Sequence, residues 1–321
     1  VTDKREKDIK YLFLDEAQDL DQQALELLLS YYPNAKIIIL GDIFQSIQRE
    51  PRENLLYRLL TKTDNQGEIV VKGKFFANET DRTIKVDPNV MYITPRVPPQ
   101  ILEILKEEFI NHYSEKINNL PFNEWRSTSN ETDSKIVWRQ FGTFKELYQK
   151  IATSFKDEHQ DYDETKIKNS MILSYTSEIT VNQRCGDIHR GMRELIETHG
   201  INKSLINTNY KIKEQDKLFM STMSSSKGLE SDNVIVIISD NIDQKHSASE
   251  DVVMNLLCVA FSRCKKNLTV YFQKEGKQGC TFVSRFSHHT RFPRSDFNGE
   301  LNIDIVKTLL RSHSIESLTD D

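Results

Sequence analysis

Cysteine is scarce in this 321-residue chain, and none of the four, Cys185, Cys258, Cys264 and Cys280, stands in a C-x-x-C pair. The spacing gives no zinc site and no disulfide scaffold, and reads as reduced thiols in an intracellular protein. No apolar run approaches the roughly 20 residues needed to cross a bilayer, and no signal-peptide pattern is visible, so no membrane partner is expected. An excess of basic charge is missing too: 43 Lys and Arg stand against 48 Asp and Glu, a net charge of −5. No global positive field advertises a polyanionic partner, although a local groove can be positive on an acidic protein. What is present, 37% hydrophobic and 28% charged residues, suits a globular protein with room for two compact domains and a sizeable core.

Residues 11 to 19 are the most informative. A short apolar run, Tyr11 to Leu14, ends in two adjacent carboxylates, Asp15 and Glu16. In a nucleoside-triphosphate hydrolase a buried parallel strand delivers such a pair, the first steadying Mg²⁺ and the second polarising the attacking water. A rigid strand end suits that work, because phosphoryl transfer is mostly positioning and charge. The plain alternative is an acidic helix cap, with Asp19 capping a helix begun by Leu20.

Beyond it, Ala24 to Leu29 has the spacing of an amphipathic helix, Pro33-Asn34 reads as a turn, and Lys36 to Leu40 is a second, β-branched run. That run leads into Gly41-Asp42-Ile43-Phe44-Gln45-Ser46-Ile47. In a parallel sheet Gln45 then sits beside the carboxylates, able to contact a γ-phosphate and the attacking water. The alternative is a strand-end turn with a left-handed Gly41 and a solvated Gln45.

These two segments resemble motifs II and III of the superfamily 1 helicases, most like the UvrD/Rep branch. Three more follow in the family's order: Thr94 to Leu102 is similar to motif IV, Thr222 to Glu230 to motif V, and Leu256 to Lys265 to motif VI. The resemblance implies tandem RecA-like parallel-sheet domains, the first incomplete on its N-terminal side. It implies ATP with Mg²⁺ bound between them, and movement along single-stranded or partly duplex DNA in the 3′→5′ sense. By the same resemblance Asp15 holds Mg²⁺, Glu16 and Gln45 serve the attacking water, and Arg96 reaches the γ-phosphate. Arg263 looks like the arginine finger, Glu230 like the acceptor for the ribose with Gly228 allowing close approach, and Thr222 like a contact to the DNA backbone. For Arg96 and Arg263 the alternative is a surface salt bridge.

The family's phosphate-cradling loop, G-x-x-x-x-G-K-[ST], has no match. The nearest imitation, Gly67 to Phe75, has its glycines one residue too far apart and Phe75 where Ser or Thr should hold Mg²⁺. The sequence is therefore expected to be the carboxyl-terminal portion of a longer protein, with little ATPase activity alone. Ser224, Ser231 and Cys258 also replace the histidine, aromatic and tyrosine usual in motifs V and VI, which bears on nucleotide-to-DNA coupling. An aromatic for base stacking is lacking after Ile47, with Phe44 a candidate substitute or a core residue. An RNA helicase of the compact type, or a lapsed helicase-fold scaffold, remain the alternatives.

Residues 1–90 are expected to form the rest of the first domain, 91–278 the second, and 279–321 a tail. In the first, Leu55 to Leu60 reads as a short helix and Glu68 to Lys72 as a strand. In the second, strands are expected at Val90–Thr94, Lys135–Phe141, Ser170–Tyr175, Leu218–Thr222, Val234–Ser239 and Leu268–Phe272. Helices fall between them at Ile101–Tyr113, Phe144–Phe155, around Ile188–Thr198 ending at Gly200, and at Val253–Ser262, with 121–134 a polar surface loop. Such alternation argues for a parallel sheet covered on both faces. About twenty residues separate Gly200 from motif V, too few for the accessory domain of UvrD and Rep. In the tail, Arg285, Arg291, Arg294, His288 and His289 read as a solvated basic loop or a phosphate contact.

Overall fold

The computed structural model describes residues 9–32, 35–42, 45, 56, 68–71, 82–85, 93–113, 125–131, 134–174, 191–208, 212–238 and 250–273. Phe44, most of the helix expected at 55–60 and the whole tail lie outside these residues. The chain divides into two units, one of residues 1–91 with 112–120 and 248–258, the other of 92–111, 121–247 and 259–321.

In the first unit, β1 (Tyr11–Leu14) and β2 (Lys36–Ile39) pair in parallel, Tyr11 opposite Lys36 and Leu14 opposite Ile39. They are joined through α1 (Gln22–Tyr31). The N-cap of α1 is Asp21, whose carboxylate accepts from the Ala24 N–H at 2.7 Å. Asp19 lies instead in a short 3₁₀ turn, Ala17–Asp19, so the capping role considered for it falls to its neighbour two residues on. Leu25, Leu28 and Leu29 of α1 pack with Leu12, Leu14, Ile37 and Ile39 of the strands, the apolar stripe closing on one sheet face. Further along, β3 (Glu68–Val71) pairs antiparallel with β4 (Arg82–Lys85), a partner the sequence reading did not foresee.

The second unit opens with β5 (Ile93–Thr94), which pairs in parallel with β6 (Arg126–Ser127). Between them runs α2 (Pro99–Tyr113). The polar stretch expected to be only a loop thus supplies a strand, and its hydroxyls have work to do. Ser127 Oγ donates to the Val97 carbonyl and Ser134 Oγ to Gln100 Oε1, each at 2.5 Å, pinning the turn after β5.

The main sheet is built from β7 (Lys135–Phe141), β8 (Ser170–Ser174), β9 (Phe219–Thr222), β10 (Ser231–Ile238) and β11 (Cys264–Gln273). The order is β7-β11-β10-β8-β9, and every pairing is parallel. Parallel sheets bury both faces, which is why Val234 to Ile238 is one unbroken apolar run, each residue at most 5% exposed. On one face Phe141, Ile172, Met220, Ile235, Ile237 and Tyr271 pack against Leu147, Tyr148 and Ile151 of α3 (Phe144–Ser154) and Ile167 of α4 (Glu164–Lys168). On the other, Trp138 meets Phe261, the last residue of α5 (Glu250–Phe261), edge to face at 6.1 Å.

Local signals fix the ends of these elements. Thr143 caps α3 by accepting from Glu146 N–H at 3.2 Å, and Glu146 reaches back to Gly142 N–H at 2.8 Å, a capping-box arrangement shifted by one residue. The helical segment Glu194–Thr198 stops at Gly200, which is left-handed at φ 72°. Because all five strands are parallel, their carboxyl ends lie along one edge, the edge at which open α/β sheets bind ligands. Thr222 ends β9 on that edge, beside Ser174 of β8.

Candidate functional site

In the first unit the parallel pairing brings the ends of β1 and β2 together. Leu40 N–H donates to the Leu14 carbonyl at 2.8 Å and Ala17 N–H to the Leu40 carbonyl at 2.9 Å, carrying the pairing past the strands themselves. Asp15 and Glu16 emerge there, both exposed. Glu16 is left-handed at φ 52°, ψ 37°, a conformation that costs an ordinary residue about 1–2 kcal/mol. Its N–H donates to Asp15 Oδ1 at 2.9 Å.

The turn is held by Gln18, only 2% exposed. Its Nε2 donates to Glu16 Oε2, and its Oε1 accepts from the Asp42 N–H at 3.0 Å. Asp42 in turn holds Gln45, whose Nε2 donates to Asp42 Oδ2 at 2.9 Å and whose N–H donates to the Asp42 carbonyl at 3.0 Å. Gly41 is not left-handed, as considered above; what it supplies is space. A Cβ there would lie 2.5 Å from Gln18 Oε1 and 3.1 Å from the Ala17 nitrogen. The segments similar to motifs II and III thus form one hydrogen-bonded cluster.

In the second unit the segments similar to motifs V and VI are joined just as closely. Thr222 is 5% exposed and its hydroxyl is taken up locally, donating to Ser225 Oγ at 2.8 Å and accepting from the Ser225 N–H at 3.0 Å. The hydroxyls nearer solvent are those of Ser225, exposed, and Ser224, half-buried and 3.0 Å from Thr222 Oγ1. Gly228 turns the chain at φ 76° with nothing within 4 Å of where its Cβ would be, so here conformation, and not space, demands glycine. Glu230 follows, exposed, with Lys265 Nζ 3.3 Å from its carboxylate. Lys213 Nζ donates to the Glu230 carbonyl. Burial, reinforced by the charge of Lys265, holds the Lys213 ammonium below the usual lysine range.

Arg263 is 1% exposed, so a surface salt bridge does not describe it. Its Nε donates to the Val259 carbonyl at 2.9 Å, Nη2 to Ser262 Oγ at 2.9 Å and Nη1 to the Leu229 carbonyl at 3.4 Å. The guanidinium expected to act as a finger is thus folded onto backbone carbonyls of motifs V and VI. Arg96, on the turn between β5 and α2, is the opposite case. Its Nε is a buried donor without an acceptor. Buried donors are nearly always paired, and an unpaired guanidinium N–H suits an anion.

Each unit carries part of the chemistry that ATP with Mg²⁺ calls for: in the first, two exposed carboxylates at a strand end suit Mg²⁺, and in the second, the unpaired Nε of Arg96 suits a phosphate oxygen. Among the described residues no cluster of three or more His, Cys, Asp or Glu could hold a metal, and Mg²⁺ in such sites takes only one or two carboxylates beside phosphate.

The family model for the UvrD-like helicase C-terminal domain matches residues 2–275. The chain belongs to that family. No curated protein matches it. Among solved structures, one titled as the C-terminal domain of a possible DNA helicase from Lactobacillus plantarum WCFS1 is similar at 12% identity and a TM-score of 0.36, covering 56% of this chain and 88% of that one. For this UvrD-like chain, no helix among the described residues is long and apolar enough to cross a membrane.

Sequence reasoning assigned no part to Gln18, Gly41 as a spacer, Lys213 or Lys265. Gln18 did carry a signal: it is an amide set between the acids Glu16 and Asp19 in a turn with few other polar uncharged groups.

Proposed function

We propose that this UvrD-like chain works in an ATP-dependent helicase or translocase, with residues 1–90 and 91–278 as RecA-like domains acting on one nucleotide and 279–321 as a tail. What supports the reading is a single relationship: β1 and β2 are parallel, and their carboxyl ends carry Asp15, Glu16, Asp42 and Gln45 in one hydrogen-bonded cluster. Asp15 would hold Mg²⁺, which when bound draws charge from the phosphate oxygens. Glu16 accepts a proton from the attacking water and Gln45 orients that water. Arg96 offers its unpaired Nε to a phosphate oxygen. Arg263 serves the γ-phosphate as a finger by exchanging the Val259 and Leu229 carbonyls for it, Glu230 accepts from the ribose hydroxyl, and Gly228 lets the backbone approach it. Thr222 acts through the turn it ties, which presents hydroxyls toward a nucleic-acid backbone.

The substrate in this reading is single-stranded or partly duplex DNA, travelled 3′→5′ within the cell. The test is strand displacement by the full-length protein on matched DNA and RNA duplexes with 3′ or 5′ tails. ATP-dependent displacement of the 3′-tailed DNA duplex is expected. Preference for RNA would make this a compact RNA helicase, and no displacement or ATPase activity would make it a binding scaffold. Residues 1–321 contain no G-x-x-x-x-G-K-[ST], so this stretch alone is expected to turn over ATP negligibly.

A further inference from the structure

We infer that Gln18 is a positioning residue for hydrolysis, a single buried amide that sets the carboxylate of Glu16 and the segment carrying Gln45 in register. The inference rests on the proposed ATPase reading of Glu16. The geometry is specific. One end of the amide donates to Glu16 Oε2 and the other accepts from the Asp42 N–H at 3.0 Å, across 24 residues of sequence. Asp42 passes the restraint on through both its carboxylate and its carbonyl to Gln45.

Three further observations separate this from ordinary packing. Gln18 is 2% exposed and next in sequence to Ala17, which belongs to the apolar cluster with Leu14, Leu25 and Leu29, and burying an amide there incurs a desolvation that an apolar side chain would not. Glu16 is held left-handed, and the Gln18 bond restrains the side chain of that strained residue. Gly41 completes the fit, because any Cβ at that position would meet Gln18 Oε1 at 2.5 Å. Residue 41 must be glycine for the amide to lie where it does. Gln18 touches neither water nor phosphate in this account. It fixes the angle at which Glu16 and Gln45 do.

The test uses the full-length protein with Gln18→Leu, Gln18→Glu, Gly41→Ala and Glu16→Gln. Gln18→Leu is expected to lower kcat for ATP on the order of a hundredfold, as for a small misplacement of reacting groups, with KM within about twofold. Hydrogen exchange without nucleotide gives a second readout. The Asp42 amide should exchange at least about tenfold faster in Gln18→Leu and Gly41→Ala, both of which take away its acceptor. Gln18→Glu keeps an acceptor but replaces the donor facing Glu16 with a carboxylate, so it should lose kcat while the Asp42 amide stays protected. Normal kcat and unchanged Asp42 exchange in Gln18→Leu, with Glu16→Gln inactive, overturn the inference alone. Loss of kcat accompanied by a matching rise in KM and collapse of the thermal midpoint in all three variants also overturns it, as a structural role would. Full activity in Glu16→Gln removes the ATPase reading beneath it.

Discussion

Arg263 grips the strand before it from two sides: its Nη1 donates to the Leu229 carbonyl at 3.4 Å, and its own carbonyl accepts from the Ser231 N–H at 3.0 Å. Glu230, the expected ribose acceptor, lies between those two points. The arginine therefore sets the backbone on which Glu230 stands, whatever else it touches.

Arg263→Ala in the full-length protein should lower ATPase turnover on the order of a thousandfold, as for loss of an arginine finger. It should also destabilise the fold by about 1–3 kcal/mol, because the Val259 and Leu229 carbonyls lose a buried donor. Arg263→Lys should restore little of either, since one ammonium cannot reproduce three donors in a plane. Urea titration and steady-state ATPase on the same variants check both. Lost stability with normal turnover would leave Arg263 a purely structural clamp.

Gly228→Ala should cost about 1–2 kcal/mol, the price of a left-handed residue with a Cβ. Space around the new methyl is open, so strain is the whole effect. Gly228→Asn should cost less, because asparagine tolerates this conformation better. Equal stability of Ala and Asn variants in urea would contradict the assignment.

How much of this was legible in the sequence depended on the range of the forces. The strands of the main sheet were legible because a parallel sheet buried on both faces demands continuous apolar runs, as at Val234 to Ile238. The end of the segment at Glu194–Thr198 was legible from Gly200, which acts within one turn, whereas the cap of α3 by Thr143 and Glu146 went unread although the helix itself was expected from Phe144. The pairing of β5 with β6 was not: a strand ending at Thr94 was expected, but the two-residue β6 has no pattern of its own and lies in a polar stretch tied to the turn after β5 by Ser127 and Ser134. Within the candidate site, residue types near Asp15, Glu16 and Gln45 could be picked out by motif. The bonds from Asp42 to Gln18 and from Arg263 to Leu229 could not, because each joins residues more than 20 positions apart in sequence.

Burial pushes the Cys264 thiol from its ordinary 9.0 up to about 12. The unfolded chain ionises this group from about pH 9, while the folded chain keeps it neutral until near its raised value. Above pH 9 the unfolded state binds fewer protons, so stability should fall as pH rises through that window. Tyr271, whose phenol burial also raises, adds to the same trend. Urea titrations between pH 8 and pH 10.5 should show this decline, reduced in Cys264→Ala. In the native state Cys264 should resist a thiol reagent that labels it fully in urea. Rapid native labelling of Cys264 would contradict its burial.

The most direct test of the central claim is Glu16→Gln in the full-length protein, with ATP binding and turnover measured on the same sample. If Glu16 activates the attacking water, bound ATP should be retained while turnover falls about a hundredfold or more. Near-normal turnover would show that Glu16 is only an acid at the end of a strand, and that the cluster joining β1 to β2 holds the fold together without serving hydrolysis.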